Sequence, residues 1–571
     1  MKIRHVLING FRGIKHLEWS LPDDSIFCLI GPGDSTKSTI LDAVELALSP
    51  RWNINIYDTD FYQCKIDQPI DIFVTVGDLP ERLLTLEKFG THLRGWKDGK
   101  IVDEPVDDCK EVVTVHLTVD RSLEPSWSLF TDRNPGARTI SAREREALGM
   151  TRLGPYVDRQ LSWGHGTALS RLTDDLDNVP VVLAEAGRSA RGAVDSSKLP
   201  QLETAADQAQ DLAVAYGVRP NAKFHPALDP LGTNESVGAL TLFDGEVPAR
   251  QSGQGTRRLL TLAIQQRCVQ DGSIQLIDEI EQGLEPHRVR HLLHTLKSHV
   301  ERPGENQKGC QIIMTTHSNV VIEELRATNL FIVRSQAGVT KVNQVSADLQ
   351  ATIRAESVAL LGRKIIVCEG KTELGMCRAF DHLWALEERG KPFAHIGAVP
   401  VDGGGSEAPK RALNLTRLGY DVAYFADSDC EINPDANTLS EAGIEVIIWK
   451  GKVSTDQRVC LDLPWQGLQE LIHLAIDIKE DESTVLSSVA SRLKCRPEAL
   501  TWNLTQWLEL GFSEEMIRAY IGETAKSEKQ KWFKMIHTGE LLGQLVYRFL
   551  PKIGDKDLCI KIDQLKRWIN G

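Results

Sequence analysis

Two sets of residues in this sequence could do chemistry, one on nucleotide phosphates and one around a metal ion. The first is Gly31-Pro-Gly33-Asp-Ser-Thr36-Lys37-Ser38, which fits GxxxxGK[ST] at every fixed position but one. Backbone N–H groups of such a loop cradle phosphates at a helix N-terminus, where the dipole favours negative charge. Gly31 and Gly33 would let the backbone come close to the phosphates. Lys37 would reach the terminal phosphates of ATP, and Ser38, followed by Thr39, would ligate Mg²⁺. Thr36 stands where the pattern has Gly, and a glycine-only backbone conformation there would weaken binding. Further along, Ser273-Ile-Gln-Leu-Ile-Asp278-Glu279 is an apolar strand ending in two carboxylates. Asp278 could meet the magnesium ion, and Glu279 could polarise a water as a general base must. Met314-Thr-Thr-His317-Ser318 closes another strand, and His317 could sense the γ-phosphate.

The second set is acidic. Lys364-Ile-Ile-Val-Cys-Glu369-Gly-Lys-Thr-Glu373 is a strand ending in an acid, a Gly turn and a second acid four residues on. A helix starting after Gly370 would turn both acids to one pocket. Val422-Ala-Tyr-Phe-Ala-Asp427-Ser-Asp429 is another apolar strand, ending in DxD. Carboxylates at the C-terminal ends of parallel strands converge at the edge where α/β proteins bind ligands. Hard oxygen ligands suit Mg²⁺ or Mn²⁺. Two such ions can clamp the attacking and leaving oxygens of a phosphodiester. The bland alternative is a pair of solvated loop acids.

Apolar patterning outlines the elements that must position these groups. Ile26–Ile30 is a short apolar run before the Gly-rich turn, Thr39–Leu48 reads as a helix and Asp71–Val76 as a strand. From about Pro80 to Val247 the pattern is irregular, apart from a helix over Leu202–Tyr216; an insertion or an oligomerisation arm would both fit. Regularity returns with a helix over Thr256–Gln270, a strand over Ile274–Ile277, a helix over Arg288–Val300 and a strand over Gln311–Thr315. That alternation predicts a mainly parallel sheet covered by helices. A second cycle starts at Lys364–Cys368, with strands near Ala394–Pro400, Val422–Ala426 and Glu445–Trp449, and predicts a separate small α/β domain. From Pro464 onward the chain reads as mostly helical.

Composition sets outer limits. The chain has 571 residues, enough for two to four domains. No apolar run approaches the ~20 residues that span a bilayer. The N-terminal Met-Lys-Ile-Arg-His-Val-Leu-Ile alternates apolar residues without a signal-peptide layout, so a first strand and a cytoplasmic protein are expected. The 11 cysteines are scattered with no CxxC pair, which argues against a disulfide framework or structural zinc. A net charge of -13 disfavours a DNA coat protein, yet leaves room for an enzyme with a local basic groove.

With these motifs in order, the chain resembles the ABC ATPase branch that includes SMC-type and RecF-type proteins. Gln251-Ser252-Gly253-Gln254-Gly255 is similar to the ABC signature, Asn9-Gly-Phe-Arg12 to that branch's opening, and Gly283-Leu-Glu-Pro286 to its D-loop. Gln63 is the candidate for the Q-loop glutamine. In ABC ATPases the signature of one protomer caps the nucleotide of the other, so the resemblance implies a homodimer with two ATP sites. The ExxxE plus DxD arrangement resembles the Toprim domain of topoisomerases, primases and certain nucleases. An ABC ATPase joined to a C-terminal Toprim resembles the OLD (overcoming lysogenization defect) family of ATP-dependent endonucleases, which includes the Gabija nuclease. The resemblance covers nearly the whole chain apart from the middle stretch. It implies a late Lys in the nuclease site: Lys526, Lys529, Lys531 and Lys534 are present, and the Lys-x-Phe pattern favours Lys531. It also implies a further acid, for which Asp456 is the candidate.

The expected fold class is therefore α/β. An ABC-type ATPase domain is expected over 1–350, with an insertion or dimerisation region at about 80–247. A Toprim domain over 351–480 and a helical region over 481–571 would follow. The expected function is ATP-binding, Mg²⁺- or Mn²⁺-dependent cleavage of DNA under nucleotide control. The resemblance adds bacterial anti-phage defence and room for a partner defence protein. The alternative is an ATP-driven DNA clamp or recombination mediator whose Toprim fold does not cut. Strand passage would need a nucleophilic Tyr, and nothing marks one of the 8 tyrosines for it.

Overall fold

The computed structural model describes all residues except 52–53, 86–87, 107, 134–137, 155–157, 164–166, 174–199, 229–239, 268–272, 302–309, 388–389 and 528. The chain divides into two units, Met1–Gln350 and Ala351–Gly571.

The first unit is built on a sheet of 14 strands. In chain order its first elements are β1 (Lys2–Phe11), β2 (Ile14–Ser20), β3 (Ile26–Ile30), α1 (Lys37–Leu48) and β4 (Ile70–Gly77). Next come β5 (Arg94–Lys97), β6 (Lys100–Val102), β7 (Lys110–Val119), β8 (Pro125–Phe130), β9 (Arg138–Thr139) and β10 (Met150–Leu153). After α2 (Pro200–Ala215), strands β11 (Phe224–Leu228), β12 (Leu240–Asp244) and β13 (Val247–Pro248) form a small antiparallel sheet of their own. The unit closes with α3 (Gln254–Arg267), β14 (Ile274–Ile277), α4 (Pro286–Glu301), β15 (Gln311–Thr315), β16 (Leu330–Gln336) and β17 (Val339–Gln344).

Strands β10, β14, β15, β3 and β16 run parallel in that spatial order. The all-apolar run Ile26–Ile30 lies between two parallel neighbours and is buried along its length, as a strand covered on both faces must be. Helix α1 turns Ile40, Leu41, Val44, Ala47 and Leu48 inward, a helical 3–4 spacing.

Two expectations need correction. The sheet is mixed rather than mainly parallel, because β1, β2, β4 and β7 pair antiparallel. The stretch from Pro80 is also less irregular than its pattern suggested, since β5 to β10 all join the large sheet. Most of these strands have two to six residues. Pieces that short carry too little alternation to register against a polar background.

The second unit holds a four-stranded parallel sheet. Its strands are β18 (Lys364–Cys368), β19 (Ala398–Asp402), β20 (Asp421–Ala426) and β21 (Glu445–Ile448), in the order β19-β18-β20-β21. Helix α5 (Lys371–Ala385) follows β18. The expected strand near Ala394–Pro400 begins only at Ala398, because Phe393–Ile396 is a helical turn closed by Gly397 at φ 76°. Past β21 the chain is helical: α6 (Thr455–Asp462), α7 (Trp465–Lys479), α8 (Glu514–Lys526), α9 (Ile536–Ile553) and α10 (Asp557–Asn570) are the helices used below. They share one core with the sheet, in which Phe425, Trp449, Leu471, Ile521, Trp532, Leu545 and Ile562 are buried. Among the described residues no helix is long and apolar enough to cross a membrane.

Candidate functional site

The loop between β3 and α1 folds back on its own lysine. Lys37 Nζ donates to the carbonyl oxygens of Gly31 and Pro32, at 3.0 and 2.8 Å, and to Ser35 Oγ at 3.0 Å. Burial holds the Lys37 ammonium down at about 8, against the opposing pull of Asp278 and Glu279.

The two glycines of the loop have different reasons to be there. Gly31 is buried at φ 144°, and a Cβ on it would lie 2.7 Å from the carbonyl oxygen of Val333, so the fold itself demands glycine. Gly33 was expected to touch the nucleotide beside it, but the fold makes no such demand there. It is exposed at the tip of the loop, and a Cβ on it would meet nothing within 4 Å. Thr36 takes φ 68°, the left-handed region, at the N-cap of α1. The substitution for Gly therefore falls where glycine is favoured, but the loop still closes. Ser38 begins the exposed side of α1 and donates to Asp278 Oδ1 at 3.0 Å, while Thr39 beside it is half-buried.

Asp278 follows β14 and is the centre of this site. Its Oδ1 also accepts from Thr315 Oγ1 at 2.6 Å, and its Oδ2 accepts from Arg152 at 3.1 Å. Glu279 sits in a left-handed turn, φ 45°, with its N–H donating to Thr315 Oγ1 at 2.8 Å. His317 follows β15, and its backbone N–H donates to Glu281 Oε1 at 2.6 Å. Desolvation and then the nearby Lys37 charge hold its imidazole below the ordinary histidine value. The sheet thus gathers Lys37, Ser38, Asp278, Glu279 and His317 at the C-terminal ends of β3, β14 and β15. Gln63 is exposed and donates to Tyr62 Oη at 3.4 Å.

Ser252-Gly253 leads into α3, which opens with Gln254 and Gly255. Gly253 and Gln254 are exposed, and a Cβ on Gly253 would meet nothing within 4 Å. Gly255 is different: a Cβ there would lie 2.2 Å from the carbonyl oxygen of Gly283. Its glycine is required by packing against the Gly283–Pro286 loop of the same chain. One turn on, the buried Arg258 donates to the carbonyl oxygens of Asp278 and Glu279, at 2.6 and 3.0 Å.

In the second unit, β18 and β20 are parallel neighbours and end side by side, with Cys368 paired to Phe425. Glu369 and Asp427 therefore emerge together, and the Asp427 N–H donates to Glu369 Oε2 at 3.0 Å. Glu373, in the first turn of α5, accepts from the Gly370 N–H at 3.1 Å and from Thr455 Oγ1 at 2.5 Å. Asp429 pairs with Lys526 at 2.6 Å. Asp456, in the first turn of α6, is fully buried, and neither oxygen is within hydrogen-bond distance of a donor. Lys534 stands 3.6 Å from it.

Charge crowding follows from this geometry. Burial, then Glu369, pushes the Asp427 carboxyl up to about 9. Burial and then Glu373 raise Glu369. Burial raises Asp456 to about 6, and Lys534 partly offsets it. Asp429 goes the other way: although burial opposes this, Lys526 holds it below its usual value. Among the described residues no three His, Cys, Asp or Glu groups close around a point as an ion would need. Two of the acids are tied to other partners: Asp429 to Lys526, and Glu373 to Thr455 and Gly370. A buried carboxylate without a donor and two raised acids at a sheet edge nonetheless fit a hard divalent cation.

Sequence reasoning favoured Lys531 among the late lysines, whereas Lys526 and Lys534 make the ion pairs with these acids. Lys531 is exposed in a left-handed turn, φ 46°, and its N–H donates to Ser527 O at 2.9 Å. Sequence reasoning also passed over Arg152, Arg258 and Thr455. A basic or hydroxyl residue in an unremarkable strand or helix carries no local signal, and only the tertiary fold brings it to the site.

The first unit thus has the fold and residues of a P-loop ATPase domain of the AAA/ABC kind. The chain belongs to the family described as "AAA domain, putative AbiEii toxin, Type IV TA system", which it matches over residues 26–323. No curated protein matches it. Among solved structures it is similar to an SMC head bound to the C-terminal winged-helix domain of ScpA, at 16% identity and a TM-score of 0.37, covering 62% of this chain and 100% of that one. It is similar also to an SMC head with an extended coiled coil bound to the C-terminal domain of ScpA, derived from Pyrococcus furiosus (14% identity, TM-score 0.35, 62% and 99% covered). A third is the SMC head domain from Thermotoga maritima (14%, 0.29, 61% and 100%).

Proposed function

We propose that this chain is an ATP-binding, metal-dependent DNA endonuclease in which a Toprim-type second unit cuts under the control of the ATPase unit. The reading rests on one hydrogen bond, from the Asp427 N–H to Glu369 Oε2, which joins acids of two distant segments at one edge. Glu373, Asp429 and Asp456 stand beside them.

A magnesium or manganese ion held by Glu369, Asp427 and Asp429, with Glu373 and Asp456 behind, would supply Lewis acidity and an activated water. Water attacks phosphorus, one P–O ester bond breaks, and the departing oxygen takes a proton. Lys534 and Lys526 replace Lys531 in this proposal as the cations facing the charge that builds on the phosphate. Further lysines over 529–531 would hold the flanking backbone nonspecifically.

In the ATPase unit, Lys37 would exchange its loop carbonyls for the terminal phosphates, and the open backbone at Gly33 would admit them. Ser38 and Asp278 would hold the accompanying magnesium ion, Glu279 would take the proton of the attacking water, and His317 would meet the γ-phosphate. The Ser252–Gln254 segment, exposed at Gly253 and Gln254, would cap the nucleotide of a second copy, giving a homodimer. The resemblance to the OLD family supports a role in bacterial anti-phage defence, in the cytoplasm. The description of the matched family as a toxin supports a product that harms a cell unless restrained.

The test is incubation of supercoiled plasmid with Mg²⁺ or Mn²⁺, with and without ATP, using wild type and Glu369→Ala. Nicking by wild type that the variant lacks supports the enzyme. DNA binding by both with no cutting under any condition supports the ATP-driven clamp instead. For the ATPase unit, Lys37→Ala is expected to lose ATP binding and turnover. Unchanged hydrolysis in that variant would refute the assignment.

A further inference from the structure

Strand β10 comes from the stretch that sequence patterning left unassigned, and it brings a guanidinium to the nucleotide site. Arg152, nearly buried, is the third residue of β10 and lies opposite Leu276 of β14 in parallel register. Its Nη2 donates to Asp278 Oδ2 at 3.1 Å and to Asp42 Oδ1 at 2.9 Å, and its Nε stands 3.6 Å from Glu45 Oε2. Asp42 and Glu45 lie on α1, the helix that the phosphate loop opens. Asp42 is held from its other side by Arg12 at 2.6 Å, and Arg12 also holds Asp60 at 2.8 Å.

The two oxygens of Asp278 are thereby divided between two tasks. Oδ1 faces Ser38 and Thr315, the side on which the phosphate-loop serine presents its hydroxyl. Oδ2 faces Arg152. A carboxylate that serves a metal ion through one oxygen gains from a rigid charged donor on the other. Such a partner fixes the direction of the free lone pairs. The planar fork of Arg suits this better than a Lys ammonium, because one guanidinium can hold Asp278 and α1 together in one plane.

We propose that Arg152 is a positioning residue for the magnesium side of the nucleotide site: it anchors Asp278 to helix α1 so that Oδ1 stays aimed beside Ser38. The middle stretch of the chain would then contribute directly to ATP binding, beyond any role as an insertion or arm. This inference rests on the reading of Asp278 and Ser38 as the magnesium-facing pair.

The test measures binding rather than turnover. A fluorescent ATP analogue is titrated onto the full chain at stepped Mg²⁺ concentrations, and again in EDTA. In Arg152→Gln the Mg²⁺ needed for half-maximal binding should rise at least ~10-fold, the usual effect of removing a partner behind a metal ligand. Binding in EDTA should not change. Arg152→Lys, which keeps the charge without the fork, should fall between the two. Because Arg152→Gln strands Asp42 without a partner on that side, the double variant Arg152→Gln/Asp42→Asn removes the uncompensated charge. It should melt like wild type and still show the raised Mg²⁺ demand. A wild-type Mg²⁺ demand in the double variant would overturn the inference, since only a structural role is then left for Arg152. Lys37→Ala in parallel separates the two claims. Normal ATP binding there would remove the site reading itself, and this inference with it.

Discussion

The Asp427 N–H reaches Glu369 Oε2 across 3.0 Å although the two residues are 58 apart in sequence. The contact exists because β18 and β20 are parallel neighbours in register, Cys368 opposite Phe425, so the residues that follow each strand emerge at one level. Burial raises both carboxyls, Asp427 further through the charge of Glu369 and Glu369 through that of Glu373. A pair of carboxylates held this way is poised for a counter-charge, and the lysines of the 526–534 segment are the protein's own.

Those lysines give the first prediction. Lys534→Met should reduce metal-dependent DNA cleavage ~100-fold or more, the scale of losing a charge-stabilising donor. Lys526→Met should reduce it as well, whereas Lys531→Met should cut at close to the wild-type rate. Initial rates of plasmid nicking decide this. A large loss in Lys531→Met alone would restore the sequence-based choice.

Arg258 gives the second. Its guanidinium binds the carbonyls of Asp278 and Glu279, as well as Gly154 O at 3.0 Å and Gln282 Oε1 at 2.7 Å. It holds Glu279 in its left-handed turn and ties that turn to helix α3. Arg258→Met should slow ATP turnover ~100-fold, as small misplacements of a reacting group do, while ATP still binds. Arg258→Lys should remain slow, since an ammonium cannot span four acceptors in a plane. Turnover at the wild-type rate in both variants would contradict the positioning role.

The third concerns Thr36. A β-branched residue at φ 68° costs roughly 1–2 kcal/mol of backbone strain, part of which Gly would recover despite its freer unfolded chain. Thr36→Gly should raise the melting temperature slightly, by up to ~1 kcal/mol of stability, and bind ATP at least as well as wild type. A drop in either would show that the Thr36 hydroxyl, which donates to Ser35 O at 2.6 Å, matters more than the strain.

Much of this was legible in the residues. Strands Ile26–Ile30, Ile274–Ile277, Gln311–Thr315 and Lys364–Cys368 have in the structure the limits their apolar runs suggest, because buried parallel strands carry continuous apolar sequence. The antiparallel limb was not legible: strands as short as Lys100–Val102 or Arg138–Thr139 are defined by their neighbours rather than by pattern. At the site, a strand ending in an acid is a strong local signal, so Asp278, Glu369 and Asp427 stood out. Arg152 and Lys534 did not, because their contacts lie 126 and 78 residues away in sequence, at Asp278 and Asp456, and are made only by folding. The glycines of the motifs divide in a way that spacing alone cannot show. Gly31 and Gly255 were read as nucleotide contacts, and each is demanded by a carbonyl of the same chain, at Val333 and Gly283, whereas no neighbour constrains Gly33.

The fourth prediction is a pH dependence. Burial, then the charge of Asp402, pushes the Glu356 carboxyl up to about 7, from 4.5 ordinarily. The folded chain therefore holds that proton more tightly than the unfolded chain. The resulting stability is complete below about pH 4.5 and is lost as pH rises through about 7. Glu356→Gln cannot ionise and should abolish this slope. Its melting temperature relative to wild type should climb between about pH 5 and pH 8. Parallel curves for the two proteins across that range would contradict the assignment.

The most direct test of the account is the rate of Mn²⁺-dependent nicking of supercoiled plasmid by wild type and Asp427→Asn. Asparagine keeps the shape of the side chain and the backbone bond to Glu369 but cannot offer a cation the negative oxygen that Asp427 would. The account predicts nicking by wild type that stops when Mn²⁺ is chelated, and a loss of ~100-fold or more in the variant at unchanged melting temperature. Equal nicking by both proteins would mean that the Glu369–Asp427 edge does not cut DNA.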